Sequence, residues 1–180
     1  MEYALIVLAV ILVIFIIWII STSNSLNRAI VKIEEASSGI DVALTKRYDT
    51  LTKMIEVVKS YAKHEKETLF ETISLRQNMT TAEKIDANKK MNSNLEKIYA
   101  LAENYPELKA SENYNTLQKS IADTEEHLQA ARRMYNSNVS IYNQKLVTFP
   151  TSIIANAKGL TKETFFEAED VKKEDVKIDL

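Results

Sequence analysis

The sequence predicts an all-α protein, in which an N-terminal transmembrane helix continues into an antiparallel bundle of four long helices. Three observations carry this expectation. Residues 3–20 read YALIVLAVILVIFIIWII, eighteen residues with no charge, Pro or Gly. Gly and Pro number two each among 180 residues, so turns are few and elements long. Beyond the apolar stretch, apolar residues recur at spacings of three and four, the period of one helix face.

The first stretch spans roughly 27 Å as a helix, close to the hydrocarbon thickness of a bilayer. Tyr3 and Trp18 stand near its two ends, where amphipathic rings prefer the membrane–water boundary. No Lys or Arg precedes it and no Ala-x-Ala follows it, unlike a cleaved signal peptide. Every face is apolar, unlike a core helix. Residues 1–22 therefore read as a membrane anchor. Leu26, Ile30, Ile33, Ser37, Ile40 and Leu44 continue a helical stripe, which carries the first helix to about Lys46. Asp49 is a good N-cap for a second helix, with an apolar face of Leu51, Met54, Ile55, Val58, Tyr61, Ala62, Leu69 and Ile73 and an end near Asn78. Thr81 caps a third, bearing Ile85, Asn92, Leu95, Ile98, Ala102 and Tyr105 and stopped by Pro106.

Ser111 caps a fourth helix of about 35 residues, roughly 50 Å. Its stripe of Tyr114, Leu117, Ile121, Thr124, Leu128, Ala131, Tyr135, Asn138, Tyr142, Lys145 and Phe149 alternates three and four throughout, a heptad seam of the coiled-coil kind. Phe149-Pro150 ends it, and TSIIANAKGL follows as a short apolar piece closed by Gly159. Residues 23–160 form the bundle. Residues 161–180 form an acidic tail, four Lys against seven Asp and Glu, whose end reads as disordered. Short connections make neighbours antiparallel, which returns TSIIANAKGL to the membrane-proximal end.

Composition removes several function classes. The net charge of −2 gives no basic field for nucleic acid, so no nucleic-acid partner is expected. Without Cys there is no disulfide, thiolate metal site or thiol chemistry. His64 and Glu67 stand at i, i+3, but in the order His-x-x-Glu, and His127 has Thr124 where a bundle metal site needs Glu. The run KHEKE over 63–67 reads as a solvent-facing stretch with local ion pairs. Arg47 with Asp49, and Arg132 with Arg133, read as salt-bridging groups that tie helices together, with an anion-binding patch as the alternative. Tyr135-Asn136 and Tyr142-Asn143 repeat at seven residues, which places both phenols on the seam. No Ser/His/Asp arrangement or Gly-rich phosphate loop is present, and no metal or cofactor is expected.

Taken as a set, GIDVALTKRYD (39–49), VKSYAKHE (58–65), LAENYPELKASENY (101–114), AARRMYNSNV (130–139) and FPTSIIA (149–155), in this order behind an N-terminal anchor, closely resemble the LemA family of bacterial membrane proteins. The resemblance runs from about Asn24 to Phe166. Ser37 stands where the family usually has Trp, Thr52 where it has Pro, and Ser60 where it has Gly. The resemblance implies a single N-terminal span and a bundle of long antiparallel helices, and it implies no catalytic activity. It also marks motif positions without an assigned role: Asp41, Arg47 and Asp49; Lys59, Tyr61, His64 and Glu65; Glu103, Tyr105 and Pro106; Arg132, Arg133, Tyr135 and Asn136, with Asn143; and Phe149 and Pro150.

The expected function is that of a membrane-anchored, non-enzymatic interaction or scaffold module. The alternative is an envelope or stress signalling component that senses a ligand or membrane partner. Its partners are the lipid bilayer, through residues 3–20, and other membrane or membrane-proximal proteins; a homo-oligomer is compatible with the seam. Arg28 and Lys32 follow the anchor and no cation precedes it, which places the N-terminus outside and the bundle in the cytoplasm.

Overall fold

The computed structural model describes residues 2–62, 70–76 and 78–166. Its described residues form helices and no strand: α1 (Glu2–Tyr61), α2 (Thr81–Asn104), α3 (Pro106–Ala110), α4 (Glu112–Val147) and α5 (Thr151–Ala157). The all-α class stands, but the four helices expected are replaced by three long ones and two short ones. Counting described residues only, one compact unit takes in 2–37 and 134–164, the other 38–133 with Phe165 and Phe166.

The first correction lies at residues 46–49, where α1 continues without a break and Asp49 is an exposed helical residue rather than a cap. No Gly or Pro interrupts this stretch. Its threonines turn their hydroxyls onto their own helix: Thr45 donates to the Asp41 carbonyl at 2.8 Å, Thr50 to Lys46 at 2.9 Å and Thr52 to Tyr48 at 2.9 Å. Each side chain is thereby satisfied inside the helix and does not compete for a turn. Thr52, standing where the resembling family usually has Pro, also keeps the N–H that Pro would remove.

The second correction concerns the expected helix from Asp49 to Asn78. Helix α1 ends at Tyr61, and residues 70–76 form an irregular strap. The side chain of Asn94, fully buried on α2, holds the backbone of Glu71: Oδ1 accepts its N–H at 2.8 Å and Nδ2 donates to its carbonyl at 2.9 Å. A carboxamide thus substitutes for the peptide partner a strand would have had. Ser93 and Lys97 donate to Oε1 of Glu71 at 2.7 and 3.2 Å, and Arg76 bonds Glu83. Glu71 pairs late on α2 and Arg76 pairs early, so the strap runs back along α2. Asn78 then takes a left-handed conformation, φ 60°, which Asn tolerates better than most residues. The cap of α2 is Thr80, one residue before the expected Thr81: Thr80 accepts the Glu83 N–H at 3.3 Å while Glu83 accepts the Thr80 N–H at 2.8 Å, a reciprocal capping box.

Because the strap makes the return journey, α2 runs parallel to α1 rather than antiparallel. Asp41 meets Lys84, and Arg47, further along α1, meets Asn88 and Asn92, further along α2. In the other unit α4 runs antiparallel to α1: Asn138 bonds the Lys32 carbonyl at 3.0 Å and Lys145 bonds Ser25 Oγ at 2.7 Å.

Two measurements follow from the strap. Asn94→Ala removes both anchors of the Glu71 backbone and should cost about 1–3 kcal/mol in the urea unfolding free energy of the full chain. An unchanged midpoint would show that the strap is held by other contacts. The Ser93 hydroxyl and then the Lys97 ammonium hold the Glu71 carboxyl below the ordinary glutamate value, and the Thr80 N–H does the same for Glu83. Both groups are more acidic folded than unfolded, so their contribution is complete above the ordinary value of 4.5 and is lost as pH falls through the lowered ones. A Glu71→Gln, Glu83→Gln variant should therefore lose less stability on acidification below that value than the parent. Equal acid sensitivity of the two chains would contradict this origin.

The remaining elements follow the sequence closely. Helix α2 ends at Asn104, before Pro106, whose fixed φ and missing N–H suit the first position of α3. Helix α4 begins at Glu112, directly after Ser111, whose carbonyl accepts the Asn115 N–H at 3.1 Å. Its heptad seam is buried or half-buried from Tyr114 to Lys145, with Leu128 and Thr124 fully enclosed, but Phe149 is 77% exposed. A cis Phe149-Pro150 bond precedes α5, and Gly159, at φ 66°, closes it while Leu160 N–H reaches the Ala155 carbonyl at 3.1 Å.

Candidate functional site

In the unit built from 38–133, a buried guanidinium joins three helices. Arg47 of α1, 3% exposed, donates Nη1 to Asn88 Oδ1 and Nη2 to Asn92 Oδ1 of α2 at 2.7 Å, and Nη2 lies 2.9 Å from Glu125 Oε2 of α4. A planar fork of donors suits three acceptors in fixed directions, which a lysine ammonium would not match. One turn earlier Lys84, 4% exposed, forms a 2.7 Å salt bridge to Asp41. Burial pushes the Tyr99 phenol up more strongly than the neighbouring Arg47 charge holds it down, and burial likewise raises Tyr114.

Asp41 and Asp49 also line a 520 Å³ cleft with Thr45, Tyr48 and Arg76, floored by Leu44, Leu75 and Met79. Arg76 is shared with a second cleft of 440 Å³ on the other side of the strap, beside Glu83, Asp86 and Lys90. Both are bounded on one side by the strap.

In the other unit, α4 clasps the chain that follows α5. Tyr142 donates to the Thr161 carbonyl at 3.1 Å and Tyr135 to the Thr164 carbonyl at 3.2 Å. Asn143 brackets Glu163, donating to its carbonyl at 2.9 Å and accepting its N–H at 2.9 Å. Burial, and then the Glu163 charge, raise the Tyr142 phenol, so the hydroxyl remains a donor. The seven-residue Tyr-Asn repeat is thus a fastening strip for residues 161–164.

The motif positions separate accordingly. Asp41 and Arg47 are brought together with α2, and Tyr135 and Asn143 with the chain after α5. Arg132 lies 4.8 Å from the centre of the Phe166 ring, a cation–π contact, while Arg133 is exposed. Lys59, Tyr61, Glu103, Pro106 and Pro150 are exposed at or near helix ends, Asn136 and Tyr105 are half-buried, and Asp49 faces the cleft. His64 and Glu65, with Glu67 and the run 63–67, lie outside the described residues, as do residues 167–180 of the tail. His127 is exposed on α4, and among the described residues no three of His, Cys, Asp and Glu are grouped to hold a metal ion.

Sequence reasoning missed Lys84, Asn88 and Asn94. Their signal was there: polar residues on the face of α2 that also carries Ala87, Met91, Leu95 and Ile98 are buried and must find partners. Which partners they find is set by α1 and the strap, far away in sequence.

The comparisons with known proteins agree with the motifs. The model described as LemA family matches residues 36–180. A relative described as Protein LemA, from Metamycoplasma hominis, is 30% identical over 165 residues, which cover 87% of this chain and 74% of that protein. The ordered motifs, this family match and this relative together establish that the chain belongs to the LemA family.

Proposed function

We propose that the protein is a single-pass membrane scaffold whose helical domain engages other membrane or membrane-proximal proteins and performs no chemistry of its own. One observation carries this reading. The polar motif residues Asp41, Arg47, Arg132, Tyr135 and Asn143 are engaged in holding helices and chain segments to one another. In this chain such groups serve as internal ties that maintain its shape. The anchor is the N-terminal part of α1, which is long and apolar enough to cross a membrane and whose side chains are exposed. The outer surface offers a binding face: Met134 and Ile141, 64% and 49% exposed, stand seven residues apart on α4, a spacing that suits a partner helix.

The test is a photo-crosslinking residue at Met134 or Ile141 in native membranes. A discrete adduct from these positions that is absent from the exposed, polar position Lys119 supports the scaffold. Indistinguishable adduct patterns at all three would count against it. Orientation is tested separately. The chain has no Cys, so Glu103→Cys gives a single exposed thiol. With the domain in the cytoplasm, a membrane-impermeant maleimide labels it only after the membrane is opened.

A sensing role is the second reading, favoured by the 520 Å³ cleft. Its strap wall is fastened to α2 by side chains, so an occupant that shifted the strap would also disturb Asn94.

A further inference from the structure

We propose that the cleft between α1 and α4 just beyond the apolar segment binds the phosphate headgroup of an anionic phospholipid. The proposal rests on the reading of residues 3–20 as a membrane span. The cleft, 230 Å³, is lined by Ser25, Arg28 and Lys32 of α1 and by Asn138, Ile141 and Lys145 of α4. Three of these side chains are cationic, and among the described residues none of the three forms a salt bridge with a carboxylate.

The depth of the charges points to a lipid. Arg28 bends back towards the anchor and donates Nε to the Asn24 carbonyl at 3.3 Å. Lys145 reaches α1 from its neighbour and donates to Ser25 Oγ at 2.7 Å and to its carbonyl at 3.4 Å. Both cationic heads are thereby held four to five residues past Ile20, about 6–7.5 Å along the helix axis. The headgroup layer outside the hydrocarbon core is itself about 5–7 Å thick on each side. Lys32 lies further out and closes the far end of the cleft, where a second phosphate oxygen or a glycerol hydroxyl would sit.

The apolar surroundings fit the same depth. Helix α4 runs antiparallel to α1, so beyond Lys145 it heads for the anchor. There Val147, Phe149 and Ile153 are 61%, 77% and 52% exposed. An exposed aromatic and two aliphatic side chains next to a layer of cations form the usual pattern of a surface seated in the membrane interface. On the opposite flank of α1, Lys158 is held at the same level, 2.9 Å from Ser23 Oγ and 2.8 Å from Asn27 Oδ1. Ser25 is turned about 200° from Ser23 on the helix, so Lys158 is outside the cleft. It serves as a built-in comparison: the same charge at the same depth, without the pocket.

The full chain in a neutral detergent is titrated with phosphatidylglycerol, phosphatidylcholine or inorganic phosphate, and bound species are counted by native mass spectrometry. Phosphatidylglycerol should be retained as a saturable adduct and phosphatidylcholine should not. Arg28→Gln with Lys32→Gln, both exposed positions, should weaken retention about 30-fold, at about 1 kcal/mol per cation lost near the headgroups. Lys158→Gln should weaken it only a few-fold. Equal retention of the two lipids, an equal loss in Lys158→Gln, or displacement by inorganic phosphate at comparable concentration would each overturn the site. Flotation with phosphatidylcholine vesicles separates this from the anchor. A chain that does not float removes the membrane reading and the site with it. A chain that floats but shows no preference for phosphatidylglycerol removes the site alone.

Discussion

Leu128→Asp should abolish the folded helical domain. Leu128 lies at the centre of the α4 seam with no exposed surface. Removing a buried leucine side chain costs about 2–5 kcal/mol through lost burial and the cavity left behind. Placing an unpaired carboxylate there adds several kcal/mol more. The sum is comparable with the whole stability of an ordinary domain, about 5–15 kcal/mol. Circular dichroism of the full chain in mild detergent should show the helical signal falling towards that of the embedded anchor, and protease should remove the rest. Leu128→Met, close in volume, should cost less than about 1.5 kcal/mol and keep the fold. A folded, protease-resistant Asp variant would mean that the buried seam is not the core of the domain.

The seam shows why so much of the helical layout was legible in the sequence. From Tyr114 to Lys145 the three–four alternation is local information, and a helix long enough to average over ten positions has no other way to bury them. Pro106, Phe149-Pro150 and Gly159 punctuate the chain by backbone chemistry that also acts within a few residues. The strap was illegible for the opposite reason. Ile73 falls on the stripe that Leu51, Met54 and Val58 begin, so an apolar pattern counts it as helical. It is buried instead in an irregular segment, where the Glu71 peptide groups are satisfied by a side chain 23 residues away. Nothing local distinguishes the two outcomes. The continuity of α1 across 46–49 was obscured in a related way. Asp49 followed by threonine looks like a cap, and only the threonine bonds to the preceding turn show that the helix goes on.

The same distinction separates the candidate site from the motifs. Asp41 and Arg47 stood out as motif members, yet their partners Lys84, Asn88, Asn92 and Glu125 did not, because the pairing depends on α2 running parallel to α1. That arrangement makes Arg47 the residue whose loss should be felt in most places at once. Arg47→Ala leaves Asn88 and Asn92 of α2 and Glu125 of α4 without this donor in a poorly hydrated site, and it opens a space the length of an arginine. Breaking a buried ion pair costs about 3–5 kcal/mol. The Glu125 side chain is 34% exposed and regains some water, so the expected loss is at the lower end, about 3 kcal/mol. Arg47→Lys should recover only part of it, since an ammonium on a shorter reach cannot serve both asparagines and the carboxylate. A double-mutant cycle with Glu125→Gln isolates the ion pair from the asparagine contacts, and a coupling of about 1 kcal/mol is expected for a pair with one partly hydrated member. Urea unfolding of the full chain measures all four proteins of the cycle. If Arg47→Ala moved the midpoint no further than an exposed substitution such as Arg133→Ala, the guanidinium would be a passenger of the fold, and the reading of the motif as an internal tie would fail at its strongest point.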